Sequence, residues 1–414
     1  MDATRAGLAE QAAGKDGAAH AGGESLPVSL GRCPSYEFEQ VRAALRQILA
    51  PLGGMGAFVR PGERIALKPN LLFAAQPEQA ITTHPVVVAA VAVEVLDAGA
   101  TPVVVESPGS GIVHVRPVIE RVYRKSGLRE AADRYGFELS LDMEWETVSC
   151  PDGGVVKRLD VLGPILKLDG VINLAKFKTH AFMTFTGATK NLFGVVPGLN
   201  KPTYHGKLAE PDSFAGMLLD VAGLVAPRLS IVDGILGLEG MGPGTGGNPR
   251  HIGLLLAGAD PVAVDVVCCR VAAIDTEVVP VLREAAKRGL WSGRPEDVQA
   301  VGLALEEAEV KDFALPPRRS RDLGLTHSRL VERVVTPLLR SGTPVPRPKR
   351  DRCTRCRACE RGCPTDAISV DDKVARVDDS RCIRCYCCHE LCPSAAIDLE
   401  FKGTGRALHR LGLV

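Results

Sequence analysis

Aromatic residues are scarce in this chain of 414 residues, where Phe, Trp and Tyr together make up 4%. The core must therefore be built mainly from Ala, Val, Leu and Gly. Long apolar runs are missing too, since none approaches the roughly 20 residues that a membrane-spanning helix needs. The formal net charge is only +1, which gives no global electrostatic argument for binding nucleic acid or a membrane surface. We therefore expect neither a nucleic-acid partner nor a membrane span.

The first 27 residues lack the apolar central run of a secretory signal. They are rich in Ala and Gly with scattered charges, which predicts a disordered tail over residues 1–27. The lack of a signal predicts a cytoplasmic protein. The whole chain is 45% hydrophobic and 24% charged, which is the balance of a globular protein with more than one domain.

Short apolar runs alternate with helical patterns over residues 28–315, which is typical of an α/β domain. The runs that predict buried strands are Arg64–Leu67, Pro102–Val105, Val171–Ala175, Leu229–Val232 and Ile252–Leu256. Helices are predicted over His84–Leu96, from Asp212 onwards, and after Asp260, which has the position of an N-cap. Because the strands are almost wholly apolar, we expect a mostly parallel sheet flanked by helices.

Nine of the 13 cysteines lie in a module over residues 351–400, between a basic, proline-containing linker over residues 316–350 and a tail over residues 401–414. They include two runs with the same Cys-x2-Cys-x2-Cys-x3-Cys-Pro spacing. In two-cluster ferredoxins the fourth Cys of each run ligates the other cluster. The spacing predicts two [4Fe–4S] clusters in a small α+β ferredoxin-like domain. The first would be held by Cys353, Cys356, Cys359 and Cys392, and the second by Cys382, Cys385, Cys388 and Cys363.

Other interpretations of this module stay open from the sequence. Cys-x2-Cys pairs also bind structural zinc, and metal clusters can serve folding alone. Cys387, beside Cys388, fits neither run and is either an apolar filler or an exchangeable ligand. The Arg and Lys residues around the module either form a solvated face or dock an acidic redox partner.

Polar residues follow each predicted strand, and ligands of open α/β sheets bind beyond the carboxyl ends of the strands. Lysines dominate this set, and they either hold a small anionic substrate or simply keep the surface soluble. The expected ligand or cofactor contacts are Lys68, Asn70, Lys190 and Asn191. The candidate catalytic residues are Lys176, Lys178, His180 and Glu106.

Lys176 and Lys178 alternate with Phe177, so they share a face if the strand continues. His180 or Glu106 could move a proton, although a single histidine is more often structural. The glycine-rich segment Glu239–Asn248 is interpreted as a plain turn or a mobile lid.

Several short stretches resemble the family named domain of unknown function 362. They are Cys33–Tyr36, Pro61–Leu71, Thr82–Pro85, Lys176–His180, Lys190–Gly194, Val232–Gly234, Glu239–Gly242 and Asp260–Asp265. Many members of that family carry a C-terminal two-cluster ferredoxin module, as here. The resemblance implies an iron–sulfur protein without a settled substrate. The family also looks distantly like lactate-racemase-type α/β proteins, but the nickel cofactor of those proteins is not transferred to this chain.

The leading hypothesis from the sequence is an electron-transfer oxidoreductase component. Electrons would pass through two [4Fe–4S] clusters to an anionic ligand on the α/β domain or to a redox partner protein. One alternative is a ferredoxin whose α/β domain only docks a partner. Another is a non-redox enzyme whose clusters are structural or sensing.

Overall fold

The computed structural model describes residues 27–109, 111–317 and 342–410. The tail predicted over residues 1–27 lies outside the described residues apart from its last residue. Most of the linker predicted over residues 316–350 and the last four residues of the chain also lie outside them. None of the helices within these ranges is both long and apolar enough to cross a membrane.

Strands occur throughout the described part of the chain. They are β1 (Val28–Arg32), β2 (Arg64–Pro69), β3 (Thr101–Val104), β4 (Glu138–Leu139), β5 (Trp145–Ser149), β6 (Arg158–Leu162), β7 (Gly170–His180), β8 (Thr184–Thr186), β9 (Leu229–Gly240), β10 (Gly247–Gly258), β11 (Ala300–Gly302), β12 (Val345–Pro348), β13 (Ile368–Val370), β14 (Ala375–Val377) and β15 (Ile397–Glu400).

Helices separate most of these strands. They are α1 (Phe38–Leu49), α2 (Pro85–Asp97), α3 (Arg116–Lys125), α4 (Leu128–Tyr135), α5 (Gly163–Lys167), α6 (Ala188–Asn191), α7 (Lys201–Lys207), α8 (Pro211–Val225), α9 (Pro261–Val271), α10 (Pro280–Lys287), α11 (Leu305–Ala308), α12 (Ala358–Arg361), α13 (Cys387–Glu390) and α14 (Thr404–Arg410).

Local sequence explains how several of these helices begin. Helices α2, α8, α9 and α10 each start at a proline, whose missing N–H costs nothing in the first turn. Asp260 caps α9 as expected, because its side chain accepts hydrogen bonds from the backbone N–H groups of Val262 and Ala263.

The main sheet runs in the order β11-β1-β10-β9-β7-β2-β3-β4, with β8 paired to β7. The five strands from β9 to β4 are parallel to one another. Helices α1 to α4 pack on one face of the sheet and α8 to α10 on the other, each forming a large apolar core. The domain is therefore an α/β fold with a mostly parallel sheet flanked by helices, as the alternation of elements predicted.

The direction of β10 corrects one expectation from the sequence. We expected the residues after Ile252–Leu256 to join those of the other strands at one edge, but β10 runs antiparallel to both β9 and β1. The reason is the short connection over residues 241–246, since a parallel crossover needs a dozen or more residues. Much of the glycine-rich segment Glu239–Asn248 is therefore strand, and only its middle is a turn.

The C-terminal module contains two small antiparallel sheets, β12–β15 and β13–β14. Strand β12 falls within residues 316–350, which the sequence analysis assigned to the linker, so the module begins before residue 351. The two prolines of β12 hid it, although an edge strand tolerates proline. Helix α14 likewise lies within the predicted tail over residues 401–414.

The module packs on the loop over residues 241–246, which we call the docking loop. Thr245 Oγ1 donates a hydrogen bond of 2.7 Å to the carbonyl oxygen of Cys392. The Nε2 atom of His389 lies 2.9 Å from the Met241 carbonyl oxygen, and its Nδ1 lies 2.6 Å from that of Ile397. His389 therefore lies between a carbonyl oxygen of the docking loop and one of its own module.

Two glycines of the docking loop permit this close approach. A Cβ atom on Gly244 would lie 2.6 Å from the Glu390 carbonyl oxygen, and one on Gly246 would lie 2.5 Å from the ring of His389. Because α13 carries both Glu390 and His389, the glycines set the distance between that helix and the α/β domain.

We predict that Gly244→Ala loosens the module from the α/β domain. The added methyl group meets backbone, so we expect a cost of about 1–3 kcal/mol, as for other overpacked sites. Amide hydrogen exchange in α13 should become faster. Gly223→Ala is the control, because a Cβ atom there meets nothing within 4 Å. Equal exchange in the two variants would contradict the role of the docking loop.

Candidate functional site

Four cysteines, which we call the outer cysteines, line one open pocket of the module. They are Cys353, Cys356, Cys359 and Cys392. Burial, together with the nearby thiols of the other three, raises the pKa of Cys359 to about 11. Cys356 is exposed, so this set lies close to solvent. The structure thus brings together the four residues that the spacing assigned to one cluster.

A second group, the inner cysteines, comprises Cys363, Cys382, Cys385 and Cys388. Burial raises the pKa of Cys388, and the nearby thiols of Cys385, Cys382, Cys359 and Cys363 raise it further. Cys385 and Cys388 are both buried, whereas Cys356 in the outer set is exposed. This is the grouping that the spacing predicts for the second cluster.

The cysteine arrangement suits a multi-atom cluster better than a single ion. In the described ranges, no three Cys, His, Asp or Glu side chains converge on the position of one metal ion. Structural zinc requires four ligands at about 2.0–2.3 Å from the ion. The four outer cysteines instead line one shared pocket, as a cluster ligated by four thiolates requires. The residues present therefore fit the iron–sulfur chemistry expected from their spacing.

The candidate catalytic residue Lys176 is held in a buried ion pair at the carboxyl end of the sheet. Its Nζ atom lies 2.8 Å from Asp233 Oδ2, and both side chains are fully buried. Tyr36 donates a hydrogen bond of 2.9 Å to the other oxygen of Asp233 and accepts one of 3.0 Å from Lys176. The Tyr36 ring stacks on His84. Lys176 is therefore fully occupied by protein groups.

Lys68 and Glu106 form a second buried ion pair, with 2.5 Å between Lys68 Nζ and Glu106 Oε2. Gly194 allows this position, since a Cβ atom there would lie 2.1 Å from Glu106 Oε1. Burial lowers the pKa of Lys68 and raises the pKa of Glu106. The pair can thus hold one proton on either partner.

Lys178 begins a chain of hydrogen-bonded amides. Its ammonium donates to Asn70 Oδ1 and to the Ile81 carbonyl oxygen, both at 2.8 Å. Asn70 donates to Asn191, and Asn191 donates to Asn173. Strand β7 continues through His180, so Lys176 and Lys178 extend to the same side of the sheet, as alternation predicts. Burial lowers the pKa of Lys178 well below its ordinary value.

His180 differs from these groups because its Nε2 atom has no hydrogen-bond partner among the described residues. Its Nδ1 atom accepts a hydrogen bond from the Phe182 backbone N–H, so a neutral ring carries its proton on Nε2. That Nε2 lies 3.2 Å from Glu390 Oε1 of the module, but without hydrogen-bond geometry. Neither atom has a hydrogen-bond partner among the described residues. Both side chains are almost fully buried.

The pKa of Glu390 is shifted mainly because its carboxyl group is buried. Burial raises its pKa to about 7, and the ammonium groups of Lys190 and Lys178 oppose that rise. Burial lowers the pKa of His180 well below its ordinary value, which keeps the imidazole neutral.

Lys190, on α6 of the α/β domain, lies near Glu390 and Cys387 of the module. Burial lowers its pKa, whereas the charges of Glu390 and Cys387 favour its protonated form. The thiol of Cys387 is hydrogen-bonded to that of Cys385. The ninth cysteine of the module therefore faces the lysine-rich end of the sheet.

Two further charged or titratable residues near these groups, Lys201 and His205, lie on α7. Lys201 Nζ donates hydrogen bonds of 2.5 Å to the carbonyl oxygens of Ser107 and Pro108, and burial lowers its pKa to about 7. Burial lowers the pKa of His205 to about 3. Its Nδ1 has no hydrogen-bond partner in the described structure.

The predicted site residues thus meet at one end of the sheet, but their contacts divide them. Lys68, Lys176, Lys178, Glu106, Asn70 and Asn191 bond to one another or to other protein groups. Lys190 and His180 instead face Glu390. Sequence reasoning missed Glu390, because it lies inside a cysteine run and no local signal links it to a strand 200 residues away. It also missed Lys201 and His205, which follow no predicted strand.

Two family matches account for most of the described chain. Residues 65–270 match a domain of unknown function (DUF362), and residues 352–396 match a 4Fe–4S dicluster domain. The C-terminal module is therefore a 4Fe–4S ferredoxin-type domain. A relative, the thylakoid-associated protein sll1697 of Synechocystis sp., is 38% identical over 271 residues. That match covers 64% of this chain and 79% of the relative.

Among solved structures, the chain is similar to the lactate racemase apoprotein from Thermoanaerobacterium thermosaccharolyticum. The TM-score is 0.39 at 12% identity, over 61% of this chain and 58% of the racemase. So distant a likeness supports no statement about chemistry.

We predict that Lys176→Met destabilises the protein much more than Lys190→Met does. Lys176→Met leaves Asp233 buried without its counter-charge, so the free energy of unfolding should fall by about 3–5 kcal/mol. Lys190→Met removes a cation with no hydrogen-bond partner among the described residues, so the change should stay below about 1 kcal/mol. Urea denaturation followed by circular dichroism measures both. Equal losses would show that Lys190 is as structural as Lys176.

Proposed function

Because the chain belongs to the DUF362 family and ends in a 4Fe–4S ferredoxin-type module, we propose that it is an electron-transfer oxidoreductase component. In this proposal the outer cysteines hold one [4Fe–4S] cluster and the inner cysteines hold another. When bound, two such clusters supply a one-electron relay between the protein surface and the sheet. The proposal keeps the cytoplasmic location expected from the sequence, since a reducing compartment suits free thiols.

The position of α13 supports this proposal more than any other observation. This helix carries the inner cysteine Cys388 and places Glu390 3.2 Å from His180 at the carboxyl end of β7. In open α/β sheets that end is where ligands bind. A relay that stops beside a ligand-binding edge is the arrangement expected of an oxidoreductase.

We further propose that a small anionic ligand binds at Lys190, beside His180 and Glu390. Lys190 supplies a positive charge, and His180 supplies an Nε2–H donor that no described group accepts. Lys68 and Lys176 are poor candidates for direct contact, because Glu106 and Asp233 already neutralise them. The Lys68–Glu106 pair can instead exchange a proton with the site.

The ion pairs that Lys68 forms with Glu106 and Lys176 forms with Asp233 also favour a second candidate function. A domain whose lysines are satisfied internally can serve as a scaffold that only holds the ferredoxin-type module and a partner. Ligand binding separates the two candidates, since a scaffold needs no small-molecule site.

Iron and labile sulfide content is the first test of the proposal. We expect about eight irons and eight sulfides per chain in anaerobically purified protein, with interacting S = 1/2 signals in low-temperature EPR after reduction. Zinc without sulfide would contradict the electron-transfer function.

A second test measures anion binding by calorimetry with formate, acetate, oxalate and phosphate as probes. We expect at least one to bind, and Lys190→Met to weaken that binding at least about tenfold, because a charge-assisted contact is lost. Lys207→Met is the matched control, since Lys207 is exposed on the neighbouring α7. Binding of no probe to wild-type protein, or equal loss in both variants, would favour the scaffold.

A further inference from the structure

The two halves of the ferredoxin-type module are related by a shift of 29 residues. Helix α12 corresponds to α13, and each is preceded by a residue in the left-handed conformation, Arg357 and Tyr386 respectively. The fourth cysteines also match, since Cys363 and Cys392 each accept a 3.1 Å hydrogen bond from the backbone N–H four residues later. The halves are therefore structurally equivalent and can be compared position by position.

The inner half uses these positions to contact the α/β domain. Tyr386 is buried in the large apolar core that α8 to α10 form in the α/β domain. Glu390 is buried beside Lys178 and Lys190, whose positive charges act on it. The inner half therefore presents a negative group to a positive surface.

The outer half has arginines at the equivalent positions, and they are exposed. Arg357 corresponds to Tyr386, and Arg361 corresponds to Glu390. The exposed residue Cys356 lies between Arg355 and Arg357. The cavity lined by the outer cysteines is also lined by Arg355 and Arg357. At these two positions the solvent-facing half thus carries positive charge where the other half carries Tyr386 and Glu390, whereas Arg355 corresponds to another arginine, Arg384, in the inner half.

Most basic residues of the module are already neutralised. Arg352 and Lys349 pair with Asp398, and Arg376 pairs with Asp371. These cations have the character of a solvated, internally balanced surface.

Arg357 pairs with Glu360 at 3.2 Å, but Arg355 and Arg361 differ from these residues. Arg355 donates to the backbone carbonyl oxygen of Asp372 and Arg361 to that of Cys356. Within the ranges that the structure describes, neither forms an ion pair with a carboxylate. Their charges are therefore available to an incoming molecule next to the exposed cysteine.

We propose that Arg355, Cys356, Arg357 and Arg361 form a docking surface for an acidic one-electron carrier protein. The proposal rests on the proposed function and names its partner class. One electron leaves the reduced carrier and enters this protein through the outer half, so the carrier is oxidised by one electron and this protein is reduced by one. Opposite charges on the two surfaces speed encounter and orient the carrier toward Cys356.

The same arginines oppose an inverted placement of the module. In that orientation Arg361 would take the place of Glu390 beside Lys178 and Lys190, and like charges would meet at a buried interface. The charge difference between α12 and α13 therefore directs the inner half to the sheet and leaves the outer half for the carrier.

The test compares the double variant Arg355→Glu/Arg361→Glu with Arg134→Glu/Arg294→Glu. The control changes net charge equally on exposed arginines of the α/β domain. Binding to an immobilised acidic plant-type [2Fe–2S] ferredoxin is measured by surface plasmon resonance over a range of salt concentrations. We expect the first variant to lose about tenfold or more in affinity at low salt, with the loss shrinking as salt screens the charges. The control should change by less than about twofold.

Electron transfer gives the second readout. Reduction of the first variant by the acidic ferredoxin should slow, while its reduction by dithionite stays at the wild-type rate. Electron transfer from the reduced variant to basic cytochrome c should become faster. Equal effects in both double variants, or no binding of wild-type protein to the acidic ferredoxin, would overturn the docking surface. If wild-type protein contained no iron, the proposed function itself would be overturned, so the two failures are distinguishable.

Discussion

The structure depends on how it accommodates buried ammonium groups at one end of its sheet. Moving an ammonium ion out of water is costly unless a counter-charge or several hydrogen bonds replace the solvent. Lys176 is satisfied by Asp233 on the adjacent strand, and Lys68 by Glu106. Lys178 has neutral acceptors, and the half-buried Lys190 has no hydrogen-bond partner in the described residues. The carboxylate nearest to these two belongs to Glu390 of the module, so docking the module supplies the charge that the sheet lacks.

That requirement links the fold to the electron transfer that we propose. Glu390 lies on the four-residue helix that also carries Cys388, so the element that places a carboxylate near Lys190 also brings the inner cysteines to the strand ends. The docking loop adds hydrogen bonds through Met241 and Thr245, and its glycines keep the separation short. Rapid transfer of single electrons requires such proximity, and here the same few residues provide it.

Local patterns predicted the elements of the fold and the grouping of the cysteines, because both are encoded within short windows of sequence. The cap at Asp260 and the continuation of β7 past Lys178 belong to this class. The direction expected for β10 was wrong, because glycines made part of this strand look like a loop. The partners of Lys176 and Lys68 could not be predicted, since ion pairing between strands depends on sheet order rather than on neighbouring residues. Glu390 lies still further away in sequence, on another domain.

The contrast between satisfied and unsatisfied groups favours a ligand at the strand ends over a purely structural interface. A buried polar atom without a partner costs about 1–3 kcal/mol, and the chain avoids this cost at Lys68, Lys176 and Lys178 by supplying acceptors. It does not avoid it at His180 Nε2 or Glu390 Oε1, which are 3.2 Å apart and unpartnered among the described residues. A scaffold that only held the module would gain stability from apolar residues at both positions. These two atoms, with Lys190 and the inner cysteines nearby, therefore mark the place where we propose that a small ligand binds.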